Sequence, residues 1–124
     1  RTVSEKGINT YLIGGALKIT TDATVGPMAE EEISKFHFKQ AFMGANAVDK
    51  FYGFMTPDYA EANFKKKAIQ MAEETIFLID GSKFNTKSVV TFAPLKGAKV
   101  ITDFIDTKEE FTDLILLEVN QNDN

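Results

Sequence analysis

Asp80 and Lys83 stand three residues apart, directly after the β-branched and aromatic run Thr75 to Ile79. A carboxylate there can accept hydrogen bonds from hydroxyls, and an ammonium can meet a phosphate as a point charge. In open parallel sheets, ligands lie beyond the carboxyl ends of strands, which is where this pair falls if Thr75 to Ile79 is such a strand. A plain Asx-turn with a solvated lysine explains the same residues, and the pattern alone favours that simpler account. Gly44 and Asn46 follow a second compact run, Gln40 to Met43, where a small residue plus a side-chain amide can cradle a hydroxyl. Gly14 and Gly15 close an apolar run as well. Their backbone N–H groups can approach an anion, but they lack the spacing of a dinucleotide or P-loop fingerprint and read first as a turn. Glu61 and Lys65, four apart, read first as a helical i,i+4 pair worth about 0.2–0.5 kcal/mol.

Metal chemistry finds no foothold. His37 is the single histidine and the chain has no cysteine, so the ligand sets of zinc sites cannot assemble around it. The trio Glu30 to Glu32 does not converge on one helical face and suits a solvated helix start. No metal and no cofactor are expected.

The elements that would position these residues follow from periodicity. Ile8, Tyr11, Leu12 and Ile13 form a short apolar run stopped by glycines, a first strand. Pro27 to Phe36 carries Met28, Ala29, Ile33 and Phe36 at helical spacing, with proline and acids at its start. Tyr52 to Thr56 reads as a short strand. The segment Asp58 to Glu74 aligns Ala60, Phe64, Ala68, Met71 and Ala72 on one stripe, with Lys65, Lys66 and Lys67 spreading onto the polar side. Ser88 to Phe92 and Val100 to Thr102 repeat the strand pattern. A last amphipathic segment, Lys108 to Leu117, offers Phe111, Leu114, Ile115 and Leu117 for burial. Apolar strands alternating with helical segments predict an α/β domain, with a mostly parallel sheet covered on both faces.

Composition fits one folded unit. The chain has 124 residues, 44% of them hydrophobic and 26% charged, with 11 phenylalanines, which is too apolar for disorder. Residues 1–119 are expected to form the domain and 120–124 a polar tail. The net charge of −4 withholds the positive field that nucleic-acid binders use, so these residues alone are not expected to grip DNA. No apolar run approaches the roughly 20 residues of a membrane span. The absence of cysteine suits a reducing compartment, and a cytoplasmic location is expected. The chain opens at Arg1 and enters a strand-like run by Ile8, as expected of a piece cut from a longer polypeptide.

Three stretches, in order, carry a resemblance: Gly14-Gly15 with Val25-Gly26-Pro27; Ala41-Phe42-Met43-Gly44-Ala45-Asn46; and Glu61-Ala62 leading to Asp80-Gly81-Ser82-Lys83-Phe84 and Ile101-Thr102-Asp103. From about Ile8 to Asp103 the chain resembles the sensor domain of the DeoR family of bacterial sugar repressors. The resemblance implies a three-layer sandwich like that of ribose-5-phosphate isomerase and glucosamine-6-phosphate deaminase. It also implies a phosphorylated sugar as effector, with operator DNA bound through a separate N-terminal helix-turn-helix. It places Asp80, Lys83, Glu61, Lys65, Gly44, Asn46 and Gly15 at the effector pocket, with Lys66 beside them. Lys39 stands where the family usually has Asp, and Ala47 where Gly is common. The family's upstream Ser/Thr-rich loop and Thr-Asn-Ser turn are not in this sequence, so a weakened phosphate site is expected.

Two functions follow. A sensor would shift a repressor between forms of different operator affinity, by as much as the effector's differential affinity for them. An isomerase- or deaminase-like enzyme on the same fold would need a general base, for which Glu61 or Asp80 are the candidates. The order of motifs favours the sensor, and no further carboxylate and histidine cluster supports the enzyme. Homo-oligomers are expected, with Phe51, Tyr52 and Phe54 as candidate partner contacts, although half-buried core residues are the more common outcome for such side chains.

Overall fold

The computed structural model describes residues 10–14, 17–21 (backbone only), 27–103 and 110–119. Strands β1 (Thr10–Gly14) and β2 (Leu17–Thr21) form an antiparallel hairpin. Helix α1 (Pro27–Ile33) starts on a proline, whose missing N–H costs nothing in the first turn. Strand β3 (Phe38–Met43) then lies antiparallel to β1, pairing Tyr11 with Phe42 and Ile13 with Gln40.

A tight hairpin of β4 (Ala47–Asp49) and β5 (Gly53–Thr56) follows. Its turn is held by Asp49, whose carboxylate accepts the N–H groups of Phe51 (2.9 Å) and Tyr52 (2.8 Å) and pairs with Lys87 at 3.1 Å. Burial would raise this carboxyl. The two N–H donors and the Lys87 ammonium outweigh burial and hold it below its ordinary value. Gly53 adopts φ +91°, and a Cβ there would meet the Ala93 carbonyl oxygen at 2.4 Å, so the turn requires glycine.

Helix α2 (Tyr59–Met71) is capped by Asp58, which accepts the Ala60 N–H at 3.3 Å. The chain leaves the helix at Ala72 and continues straight into β6 (Ala72–Ile79), parallel to β3. A 3₁₀ turn (Gly81–Lys83), β7 (Val90–Ala93), β8 (Lys99–Thr102) and β9 (Ile115–Glu118) complete the described chain.

Two sheets result. The larger has the order β2-β1-β3-β6-β8-β9, antiparallel on the β1 side and parallel from β3 to β9; the smaller is the antiparallel β4-β5-β7. The core lies between them and α2. Phe54 of the small sheet stacks on Phe77 of the large one, centroids 3.9 Å apart, with Phe92 alongside, and Phe84 meets Phe111 edge-on at 5.0 Å. Leu12, Ala41, Met43, Phe77, Ile79 and Val100 face this core and are buried. The class is α/β.

Three expectations are corrected. The predicted helix Asp58 to Glu74 stops at Met71, and α1 stops at Ile33 rather than Phe36. In the first case Glu73 to Ile76 are claimed by pairing with β3, where Gln40 lies opposite Glu74. The amphipathic segment Lys108 to Leu117 offers Phe111, Leu114, Ile115 and Leu117 for burial, and the structure buries only the first two. Residues 108 and 109 lie outside the described residues, while Ile115 to Glu118 form β9, with Ile115 57% and Leu117 60% exposed. A short apolar run cannot distinguish the two periods, and the open edge of β8 decides. Ile115 N–H donates to Ala98 O and Val119 N–H to Thr102 O. The third correction is that, among the described residues, the large sheet is covered on one face only.

Candidate functional site

Strands β3, β6 and β8 are parallel neighbours, so their carboxyl ends lie along one edge of the sheet, roughly 5 Å from strand to strand. The chain leaves that edge at Gly44, Asp80 and Asp103. Two groups of polar side chains stand there.

The first group is built on Lys65. One turn of α2 brings its ammonium inward, to donate to the Gly44 carbonyl (2.8 Å) and to pair with Glu61 (3.1 Å). It also sits 4.9 Å from the centroid of Phe92. The Lys65 side chain is only 2% exposed and Glu61 17%. Burial pushes the ammonium's pKa down from its ordinary value, and the Glu61 carboxylate only partly counters this. Lys65 therefore spends its donors on holding the β3 end loop against α2. Within that loop, exposed Asn46 accepts the Thr56 hydroxyl at 3.1 Å and donates its backbone N–H to Met55 O, which fixes its amide at the mouth of the site.

The second group closes β6. Exposed Asp80 caps the 3₁₀ turn, its carboxylate accepting the Ser82 N–H at 2.9 Å while its carbonyl accepts the Lys83 N–H at 2.9 Å. The Asx-turn therefore forms, and the half-buried Lys83 makes no ion pair to a described residue. Asp103, from the neighbouring strand, accepts the Gly81 N–H at 2.6 Å. A shallow cleft of about 360 Å³ opens beside them, lined by Leu78, Asp80, Ile101, Thr102, Asp103 and Val119 among others. Its acceptors suit hydroxyl donors, and the lysine beyond it suits an anion.

Of the residues expected at the site, Gly44, Asn46, Glu61 and Lys65 come together in the first group, and Asp80 and Lys83 in the second. Gly15 lies outside the described residues, and Lys66 is exposed on α2 beside Lys50 and Lys96 at a different cleft. Thr56 and Phe92 were not foreseen, because each acts through a partner far away in sequence. Asp103 was visible as a carboxylate after a β-branched strand but carried no sign that it would bind Gly81. Among the described residues no group of three or more His, Cys, Asp or Glu is placed to hold a metal ion.

Comparison with known proteins gives the family. The profile of the DeoR C terminal sensor domain matches residues 1–104. The HTH-type transcriptional regulator FruR of Bacillus subtilis is 39% identical over 97 residues, covering 78% of this chain and 39% of that protein. The HTH-type transcriptional regulator GlpR of Haloferax volcanii is 35% identical over 112 residues, 87% of this chain and 44% of the relative. A lactose phosphotransferase system repressor of Staphylococcus aureus is 33% identical over 110 residues, 88% and 43% respectively. The chain thus spans less than half the length of these relatives. No solved structure matches significantly. The chain belongs to the DeoR C-terminal sensor domain family.

Proposed function

We propose that this chain is the effector-binding part of a DNA-binding repressor of sugar metabolism, acting in the cytoplasm, and that its effector is a phosphorylated sugar. The observation that carries the reading is the alignment of Gly44–Asn46, Asp80–Lys83 and Asp103 along one sheet edge beside an open cleft. In this reading Asp80 and Asn46 face hydroxyls and Lys83 meets the phosphate. Glu61 and Lys65 hold the Gly44 loop in place, whereas Gly14, the residue before Gly15, lies beside His37 and Phe38 at the opposite end of β3 and does not support a role for Gly15 in this cleft. Operator DNA is bound by a separate helix-turn-helix module, in keeping with relatives named as HTH-type regulators. The relatives' names as regulators also favour binding over turnover. Among the described residues no helix is long and apolar enough to cross a membrane.

The test is an NMR titration of this chain with a panel of sugar phosphates and their unphosphorylated counterparts. A phosphorylated sugar should shift the amides of Gly81 to Phe84 and of Gly44 to Asn46, and remain chemically unchanged. Lys83→Ala should weaken it roughly ten- to a hundredfold through loss of one charge-assisted contact. Shifts confined to other regions would place the pocket elsewhere, and conversion of the sugar to product would replace the sensor with an enzyme.

A further inference from the structure

The turn between β4 and β5 carries Lys50, Phe51 and Tyr52, with Phe51 82% and Tyr52 56% exposed. Two adjacent rings left in water forgo the burial that aromatic side chains ordinarily supply to a core. The backbone beneath them is nonetheless fixed. Asp49, only 4% exposed, accepts the N–H groups of both residues, and Gly53 takes the left-handed conformation that lets the chain pass close to Ala93 O. Burying a carboxylate is costly, and here it immobilises a turn whose rings point away from the core. Rings held on a fixed backbone lose little freedom when something stacks on them.

Beside this platform opens a cleft of about 450 Å³, within the roughly 300–1,000 Å³ of small-molecule sites. Phe92, Ala93 and Leu95 give it a buried apolar base. Three ammonium groups line it from three parts of the fold: Lys50 from the turn, Lys66 from α2 and Lys96 from the loop between β7 and β8. A single carboxylate, Asp113, lines the same cleft. Lys50 pairs with Glu110 at 3.8 Å, whereas Lys66 and Lys96 have no ion pair with a described residue. Two unneutralised cations at one cleft run against the chain's net charge of −4, and a bound anion would relieve their repulsion.

The ammonium groups call for a phosphate, the exposed rings for a planar partner, and the volume for a small molecule that carries both. We propose that this cleft binds a nucleoside phosphate, with the phosphates meeting Lys66 and Lys96 and the base stacking on the Phe51 and Tyr52 platform. A sugar phosphate lacks the planar ring and would leave the platform unused. The cleft shares no lining residue with the one beside Asp80 and Asp103, so the two sites stand or fall separately.

ADP is the probe, titrated into this chain and followed by NMR. One stacked base and two charge contacts in an open cleft correspond to dissociation on the order of 10⁻⁴ M. ADP should shift the amides of Lys50 to Gly53 and of Thr91, Phe92 and Lys96, move the ring protons of Phe51 and Tyr52 upfield, and leave the amides of Gly81 to Phe84 in place. Adenosine lacks the phosphates and pyrophosphate lacks the base, so each should bind at least about tenfold more weakly. Replacing both rings, Phe51→Ala with Tyr52→Ala, should weaken ADP roughly tenfold or more, and Lys96→Ala roughly tenfold, without loss of the folded spectrum. The ring-proton shifts are read on the unaltered chain and need no variant to fold. Pyrophosphate or adenosine binding as tightly as ADP would overturn the proposal. So would shifts confined to Gly81 to Phe84, or none at millimolar ADP.

Discussion

Replacing Lys65 with methionine tests the joint between α2 and the β3 end loop. The substitution keeps a flexible side chain of similar length but removes the ammonium that donates to Gly44 O at 2.8 Å and pairs with Glu61 at 3.1 Å. Two groups are left wanting. The Gly44 carbonyl, in a buried residue, loses a partner worth about 1–3 kcal/mol when removed in isolation. Glu61 keeps a strip of solvent contact, so its loss falls below the 3–5 kcal/mol seen when one member of a fully buried pair is deleted. Against these stands the relief of no longer burying a charge. The balance should be a loss of about 2–3 kcal/mol, or roughly 10 °C in melting temperature for a domain of this size. Thermal and urea unfolding of the chain measure it. Adding Glu61→Leu to Lys65→Met should recover part of the loss, because an apolar pair leaves no stranded carboxylate. The pH dependence has a definite sign. Lys65 is harder to protonate in the folded chain than in the unfolded one, so between its lowered folded value and the ordinary 10.5 the unfolded state binds more protons. Stability relative to the methionine variant should therefore rise with pH across that window. If the single variant melts with the unaltered chain, Lys65 does not clamp the loop and the account of the first group fails.

Asp49→Asn should flatten the acid side of the stability profile: the carboxyl is held below its ordinary 3.8, so its stabilisation is full above that value and lost as pH falls through the lower folded one. Parallel acid titrations by circular dichroism should show the unaltered chain losing stability more steeply below about pH 4. Gly53→Ala should cost more than about 2 kcal/mol, since it combines strain at φ +91° with a Cβ 2.4 Å from Ala93 O, and a melting curve unmoved by it would refute the backbone contact. A mobility-shift assay with a sugar-operon operator at physiological salt should show no retardation by these 124 residues, given their net charge of −4.

The parts legible in the sequence are those whose cause is local. The stripe of Ala60, Phe64, Ala68 and Met71 marked α2, and Thr75 to Ile79 marked a strand, because side-chain periodicity and β-branching act within a few residues. Asp80 to Lys83 was legible as a turn for the same reason, and the turn is present. What stayed hidden depends on neighbours distant in the chain. Lys65 read as an ordinary surface partner of Glu61; its burial comes from Gly44, 21 residues earlier, and Phe92, 27 residues later. β9 read only as the end of an amphipathic segment, because Phe111, Leu114 and Ile115 fit more than one period, and the unfilled edge of β8 selects the extended form. The bare sheet face was hidden too, since a half-exposed strand such as Ile76 to Ile79 and a fully buried one use the same residues.

Leu78, Ile101 and Val119 belong to two surfaces at once: they wall the cleft beside Asp80 and Asp103, and they stand on the open face of the sheet. Any molecule entering the cleft would therefore bury apolar surface alongside its polar contacts, and a change at any of these three side chains would alter both surfaces together.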